Sequence, residues 1–299
     1  MRRRQRFGAA VVAGAVLVLS PLLTQSSFAQ TADTKAANRP IPRLSDGHIS
    51  FEAPPGEKGV WNPGDSRPLV PEKPEEIVWR ERAIEDPFGR NFGSTDDPTG
   101  LKPKAGEVPF QPWAKALFLY RQIHEFEPYT RCKPAGGFRH TATTYGTEFV
   151  QLPEQQRMYI FQTGGPHSFR PIYMDGRAHP KDLEPSYYGH SVGRWGGDTL
   201  VVDTVGFNER GWIDAYGSPT TKQLHLIERF TRLDFRTMRY EITIDDPGAY
   251  TAPWTTGMVM TYQTGREQFE YICQDGNLAS ELMIGGGNKK IDRTSPIVP

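Results

Sequence analysis

The chain has 299 residues and carries 35 basic and 35 acidic side chains, so its formal net charge is zero. A balanced charge gives the protein no electrostatic reason to seek nucleic acid or an anionic membrane surface. The length suits one large β domain or two small ones and is ample for a buried core.

The N-terminus predicts a secretory signal peptide over residues 1–29. Four arginines stand within the first six residues, an apolar run follows from about residue 8 to 23, and Ser27-Phe28-Ala29 supplies the small residues that a signal peptidase needs. The run is too short and too rich in alanine and glycine to suit a permanent span, although an uncleaved anchor is the alternative. Cleavage after Ala29 removes four positive charges and leaves a net charge of −4. We therefore expect a periplasmic or secreted protein without a membrane span, exported by the Sec or the Tat route.

The two cysteines of the chain are Cys132 and Cys273. An oxidising compartment predicts a disulfide bond between them. Such a bond closes a very long loop, which the chain-entropy model values at about 4 to 5 kcal/mol. Two buried thiols are the alternative, and neither cysteine lies in a recognisable nucleophile motif.

Residues 30–111 predict a proline-rich extended arm and not a second domain. Of the 26 prolines, 12 lie between residues 31 and 111, among many charges and with little periodicity. Such a segment wraps on a neighbouring domain or is partly disordered, with one short helix expected near residues 75–83.

The domain proper is expected over residues 112–299 and begins with a helix. Pro112 suits a first helical turn, and the apolar residues that follow recur at three- and four-residue spacing. This spacing predicts one packed stripe, formed by Trp113, Ala116, Leu117, Tyr120, Ile123 and His124.

From about Gly146 onward the pattern changes to short runs rich in Val, Ile, Thr, Tyr and Phe, separated by turn residues. Nine such runs without intervening helices predict an antiparallel sheet that curls into a barrel or a sandwich. The runs are 148–152, 156–162, 169–174, 190–195, 199–205, 223–233, 238–244, 258–263 and 267–273.

The first hairpin is predicted to turn at Gly196-Gly197, where glycine supplies the positive φ that a tight turn requires. This register places His190 directly opposite Asp203, with Trp195 and Leu200 on the other face. A carboxylate fixes the tautomer of a neighbouring imidazole and raises its basicity, which prepares a general base. A rim ion pair that only stabilises the hairpin is the alternative.

The second hairpin joins runs 223–233 and 238–244, and burial selects its loop length. An odd loop gives one apolar face, whereas an even loop scatters the apolar residues over both faces. Glu228 then lies on a buried stripe, where a carboxylate requires an arginine partner, a raised pKa or a water-filled pocket. The first option is structural, and the other two make it an acid, a base or a ligand anchor. The register sets the pairs Leu226–Ile244, Glu228–Ile242 and Phe230–Tyr240.

Polar residues also cluster in 164–170 and 175–180, which are interpreted as loops flanking a strand. His167, His179 and His190 are 12 and 11 residues apart, which matches no metal motif, so no metal site is predicted. The sequence contains no phosphate-binding glycine loop, nucleophile elbow or dinucleotide fingerprint, and no cofactor is predicted.

Several stretches resemble a large family of uncharacterised secreted bacterial proteins, over about residues 130–277. The family pattern has glutamate at the position of Gly196. The strand-turn-strand pattern also resembles lipocalin or calycin-like barrels, which implies a cavity at the barrel mouth for a small, mostly apolar ligand. The matching stretches are Asp175-Gly176-Arg177, residues 189–204 (GHSVGRWGGDTLVVDT), Leu224-His225 with Glu228-Arg229-Phe230, and Asp246-Pro247-Gly248-Ala249-Tyr250 with Pro253-Trp254.

These observations lead to the hypothesis of an exported barrel enzyme that performs cofactor-independent acid–base chemistry on a small oxygenated molecule. Lyase, hydratase or isomerase chemistry suits it, with Glu228 and the His190–Asp203 pair as catalytic groups. The residues expected to bind the substrate are Arg170, Arg194, Tyr188, Tyr250 and His167.

Two other functions remain open at this point. The barrel can hold a hydrophobic or aromatic compound without changing it. Alternatively, the protein is a structural envelope component whose proline-rich arm recruits a partner. The oligomeric state does not follow from the sequence.

Overall fold

The computed structural model describes residues 39–63, 100–104, 106–125, 127–143, 145–164 and 168–274. Three predictions lie outside the described residues: the signal peptide over 1–29, the short helix near 75–83 and the position of His167. In the ranges given above, no helix is long and apolar enough to cross a membrane.

The described residues form a closed barrel of nine strands, in which each strand pairs with its neighbours in sequence and the first closes on the last. The predicted mainly β barrel is therefore confirmed. The strands are β1 Gly59–Asn62, β2 Thr147–Leu152, β3 Arg157–Gln162, β4 Phe169–Tyr173, β5 His190–Gly196, β6 Thr199–Val205, β7 His225–Arg232, β8 Thr237–Asp245 and β9 Trp254–Thr264.

The barrel is mixed and not purely antiparallel, which corrects the expectation. Strands β4 and β5 pair in parallel, with Ile172 beside Ser191, while the other pairs are antiparallel. A parallel pair cannot be joined by a tight hairpin and needs a long crossover. Residues 174–189 form that crossover and carry a stretch of polar residues over the outside of the barrel.

Strand β1 comes from the proline-rich arm and completes the set of nine strands. The prediction of a strand over 267–273 is wrong. Strand β1 pairs with both β2 and β9, and Trp61 donates from Nε1 to the Phe51 carbonyl at 2.7 Å. A Cβ atom at Gly59 would overlap the ring of Tyr262, so glycine permits this close approach. The arm thus closes the barrel, because it brings backbone donors and acceptors to the open edges of β2 and β9.

The described residues contain two α-helices, α1 over Pro112–His124 and α2 over Gly137–Thr141. The bounds of α1 agree with the prediction, but its buried face does not. Ala114 and Phe118 are fully buried, whereas Trp113 and Tyr120 are about half exposed. The buried stripe is displaced by one residue from the predicted one, and Trp113 at the helix start donates to the Gly248 carbonyl at 3.0 Å.

The interior of the barrel is filled by side chains that alternate along the strands, as period-two patterning requires. In β7 and β8 the even-numbered residues are buried. Phe230 lies 4.6 Å from the Tyr240 ring, and Phe138 of α2 stacks on Tyr240 at 5.5 Å. Helix α2 therefore packs into the barrel core, and each such ring stabilises the fold by about 1.5 to 3 kcal/mol.

The predicted disulfide between Cys132 and Cys273 is present. It ties the segment after β9 to the short 3-10 turn Pro128–Arg131, which leads into α2. The bond joins residues 141 positions apart, so it restricts the unfolded chain strongly.

Candidate functional site

Glu228 lies where the second hairpin predicts it, inside the barrel and opposite Ile242. Its side chain is fully buried and forms a forked ion pair with Arg170 of β4. The Arg170 nitrogens donate at 3.2 Å to Oε1 and at 2.7 Å to Oε2, and the Tyr240 hydroxyl donates to Oε1 at 2.7 Å. Both carboxylate oxygens are therefore satisfied, by Tyr240 on the neighbouring strand β8 and by Arg170 on β4, from which β7 is separated by β5 and β6.

This closed arrangement differs from the catalytic role expected for Glu228 and the substrate-binding role expected for Arg170. A forked arginine–carboxylate pair buried in a core is held by strong, charge-assisted hydrogen bonds. Burial and the nearby Glu228 charge raise the pKa of Tyr240 well above its ordinary value, so this phenol stays protonated. Of the options that the sequence left open for Glu228, the structure shows the arginine partner.

His140 of α2 adds a further buried polar group beside this ion pair, and sequence patterning gives no sign of it. The side chain is 1% exposed, and burial together with the Arg170 charge lowers the pKa of His140 to about 3. Its ring meets Tyr188 edge to face at 5.0 Å, and Tyr188 donates to the Ser168 hydroxyl. The expected substrate residue Tyr188 thus anchors the crossover to β4.

The first hairpin turns one residue later than expected, at Gly197-Asp198, with Gly196 paired to Thr199. The register prediction is wrong by two residues, so His190 faces Val205 and does not face Asp203. Because a shift of two keeps every side chain on its face, His190 and Asp203 still share one face as predicted, and this face is the outer one.

Three histidines and one aspartate form a hydrogen-bonded chain on this outer face, which we call the histidine relay: His190, His179, Asp203 and His225. Nδ1 of His179 lies 2.8 Å from Nδ1 of His190, and Nε2 of His179 lies 3.0 Å from Oδ1 of Asp203. Nε2 of His225 lies 2.9 Å from the same oxygen. His179 is therefore the bridge between the two groups that the sequence paired directly.

The crossover positions the relay from outside the barrel. It supplies His179 and also the Asp175-Gly176-Arg177 turn, where Arg177 donates from Nε to Asp175 at 2.8 Å. The Arg177 guanidinium covers the Tyr173 ring at 4.0 Å, and the Tyr173 ring also stacks on His190 at 5.0 Å. His190 is therefore held by an aromatic plane on one side and by His179 at its ring nitrogen.

The chain of contacts sets the tautomers of the relay. A carboxylate only accepts, so His179 donates from Nε2 to Asp203, and in that tautomer its Nδ1 is the acceptor. His190 then donates from Nδ1, which leaves the lone pair of its Nε2 as a base. Partial burial, the neighbouring His179 and the Arg177 guanidinium lower the pKa of His190. The half-buried His190 is thus a neutral imidazole at neutral pH.

The remaining predicted site residues lie apart from one another. Arg194 is exposed on the same outer face as His190, four residues along β5. Tyr250 is 1% exposed, donates to the Pro219 carbonyl at 3.1 Å and packs between Phe110 and Trp254. It therefore serves the core beneath α1. His167 lies outside the described residues.

Among the described side chains, no group of three or more histidine, cysteine, aspartate or glutamate residues is arranged to hold a metal ion. In the relay the two nitrogens of His179 point to different partners, which is the geometry of a hydrogen-bond chain. Comparisons with protein-family models, curated proteins and solved structures found no match. The function therefore has to be inferred from the geometry and chemistry of the histidine relay.

Proposed function

We propose that the protein is an exported enzyme of acid–base chemistry in which Nε2 of His190 is the catalytic base. The hydrogen-bond chain from His190 through His179 to Asp203 is the observation that carries this proposal. A base oriented by a second group, which is oriented in turn by a carboxylate, is the arrangement that activates side chains in enzymes.

The relay stabilises the charge that proton abstraction creates. When Nε2 of His190 takes a proton from a carbon next to a carbonyl group, the ring becomes an imidazolium and its Nδ1–H bond to His179 strengthens. Asp203 polarises His179 from the other side and is itself held by a second donor, His225. The proton then returns to another carbon, or leaves with a departing group, which gives isomerase or lyase chemistry.

The oxygen of the substrate needs a positive group, and Arg177 supplies one. Its charge acts on His190, and its guanidinium carbon lies 4.0 Å from the centre of the Tyr173 ring, which stacks on His190. A guanidinium beside the base stabilises the enolate oxygen that forms as the proton leaves. A small molecule with a carbonyl or carboxylate group is therefore the proposed substrate class, and the side chains named here supply the chemistry without a cofactor.

The proposal that the enzyme works outside the cytoplasm is supported by two features. The first 29 residues have the charge, apolar run and small residues of a cleaved signal peptide. The Cys132–Cys273 disulfide fits an oxidising compartment such as the periplasm or the exterior.

Deuterium exchange at carbon tests the proposal across the whole proposed substrate class. The mature protein is incubated in D₂O with a panel of small 2-oxo acids, 2-hydroxy acids and ketones, and mass spectrometry measures the deuterium incorporated at carbon. We expect His190→Gln to abolish incorporation, and added imidazole to restore part of it in His190→Gly. His48→Gln is the matched control, because His48 stacks on Trp195 outside the relay.

Three outcomes decide between catalysis and simple binding. Incorporation by the native protein that is lost in His190→Gln, and that added imidazole partly restores in His190→Gly, supports the base. Incorporation unaffected by His190→Gln overturns the role of His190. A protein that retains a panel compound unchanged, with no incorporation for any of them, is a binding protein, and the acid–base proposal is then wrong.

A further inference from the structure

A second candidate site lies on the outer face of β2, β3 and β4, where a groove of about 470 Å³ opens to solvent. Its volume is that of a small-molecule site. The residues that line it are Glu148, Val150, Phe161, Gln162, Ser168, Phe169, Gln268 and Phe269. None of them belongs to the histidine relay.

Aromatic rings form the walls of this groove. Phe161 and Phe169 pair across β3 and β4 with ring centroids 5.9 Å apart, and Tyr159 lies 6.0 Å from Phe169. Phe269, on the segment after β9, lines the groove as well. Phe169 and Phe269 are 53% and 50% exposed. Exposed aromatic rings that gather around a concave surface indicate a ligand site, because the exposed apolar residues of an inert surface are scattered singly.

The Glu148 carboxylate lies at one end of the row of aromatic side chains that crosses β3 and β4. Strand register places Glu148 opposite Phe161, which in turn lies opposite Phe169. Among the described residues the Glu148 side chain has no hydrogen bond and no ion pair, whereas neighbouring Glu267 is paired with Lys58 at 2.8 Å. Partial burial and the Glu267 charge raise the pKa of Glu148. In the part of the chain that the structure describes, Lys58 is paired with Glu267, and Glu148 has no cationic partner of its own.

We propose that the groove binds a small organic ammonium ion, whose charge is neutralised by Glu148 and whose alkyl or aryl groups lie against Phe161, Phe169 and Phe269. The faces of aromatic rings attract cations, and an acidic group beside them adds a direct ion pair. Gln268 also lines the groove, and its amide oxygen, which accepts from Thr163, has a second lone pair for an N–H group of a primary or secondary ammonium ion.

This site is separate from the proposed acid–base centre, although both use β4. Phe169 and Tyr173 lie four residues apart on the outer face, which corresponds to about 13 Å along a strand. The two proposals are therefore independent, and the His190→Gln variant distinguishes them. His190→Gln should abolish the exchange reaction and leave ammonium binding unchanged.

Calorimetric titration of the mature protein with three aromatic probes tests the charge of the ligand. Benzyltrimethylammonium is the cation, benzyl alcohol the uncharged comparator and benzoate the anion. We expect the cation to bind roughly tenfold more tightly than benzyl alcohol, and benzoate to bind more weakly than either. Equal affinity for the cation and benzyl alcohol, a preference for benzoate, or no heat with any probe overturns the proposal.

Variants of the groove test its position. Glu148→Gln and Phe169→Ala should each weaken binding of benzyltrimethylammonium by roughly tenfold. Glu154→Gln removes an exposed carboxylate at the β2–β3 turn, and Leu233→Ala removes a side chain that is 52% exposed, so both serve as controls. Unchanged thermal unfolding shows that each variant is folded. The assignment to this groove is overturned if the control variants also weaken binding of benzyltrimethylammonium. It is overturned as well if neither groove variant weakens it.

Discussion

His179 contacts His190 through Nδ1 at 2.8 Å and Asp203 through Nε2 at 3.0 Å, so a single loop imidazole joins a histidine and an aspartate on adjacent strands. Neither strand residue reaches the other directly, because the β5–β6 register places Val205 opposite His190 and Val192 opposite Asp203. The crossover between the two parallel strands is thus what turns a polar outer face into a connected chain.

Long-range ¹H–¹⁵N spectra of the imidazole rings test the tautomers of this chain. At pH 8 we expect the Nδ1–H form for His190 and the Nε2–H form for His179, since Asp203 accepts from His179. Asp203→Ala removes the acceptor, so both rings should relax to mixtures of tautomers. His48 should show no change. An Nε2–H form of His190 in the native protein contradicts the assignment of Nε2 as the base.

The sequence contains part of the information that defines this site. Period-two alternation places His190 and Asp203 on one face, and the same alternation places His225 there, since Leu226 and Glu228 point inward. His179 has no such signal, because it lies in an irregular crossover whose path depends on the parallel pairing of β4 and β5. Strand patterning does not encode the route of a loop.

The buried Arg170–Glu228 pair predicts a strong and asymmetric effect of mutation. Glu228→Gln should lower the free energy of unfolding by about 3 to 5 kcal/mol, because it leaves the Arg170 guanidinium buried without a counter-charge. Replacing both groups, as Arg170→Met with Glu228→Leu, should recover much of that loss. Urea unfolding at pH 7 measures both effects.

The control for this prediction is the exposed ion pair between Arg43 and Asp198, whose side chains are 49% and 56% exposed. Asp198→Asn should leave the free energy of unfolding nearly unchanged, since solvent screens such pairs. A Glu228→Gln effect as small as that of Asp198→Asn contradicts the description of a sealed ion pair.

The origin of strand β1 in the proline-rich arm explains why strand patterning predicts the right number of strands but misplaces one of them. The residues over 267–273 are rich in apolar and aromatic side chains, yet they form no strand, and Cys273 ties their end to the turn at residue 132. Strand β1 has only four residues and follows a proline-rich stretch, so it lacks a strong local pattern. Its pairing is decided by the open edges of β2 and β9, which are tertiary features.

Gly59→Ala tests the closure of the barrel by β1. The added methyl group overlaps the Tyr262 ring, so the variant should lose about 1 to 3 kcal/mol of unfolding free energy through overpacking. Gly196→Ala is the matched control, because a Cβ atom at Gly196 meets its nearest neighbour at 3.9 Å. Chemical denaturation measures both variants. Equal stability of Gly59→Ala and Gly196→Ala contradicts the close contact between β1 and β9.

His140 predicts a pH dependence of stability with a definite sign. The folded protein holds the pKa of His140 at about 3, against an ordinary value of 6.5. Between these values the unfolded chain binds a proton that the folded chain does not bind, so the free energy of unfolding falls as the pH falls from about 6.5 to about 3. One histidine contributes a slope of at most about 1.4 kcal/mol per pH unit.

A comparison of the native protein with His140→Phe separates this slope from the titration of carboxylates. Phenylalanine fills a similar volume but cannot bind a proton, so the variant should gain stability relative to the native protein as the pH falls from 6.5 towards 3. Urea unfolding at pH 7, 6, 5 and 4 measures the difference. A constant difference between the two proteins over this range contradicts a neutral, buried His140 beside Arg170.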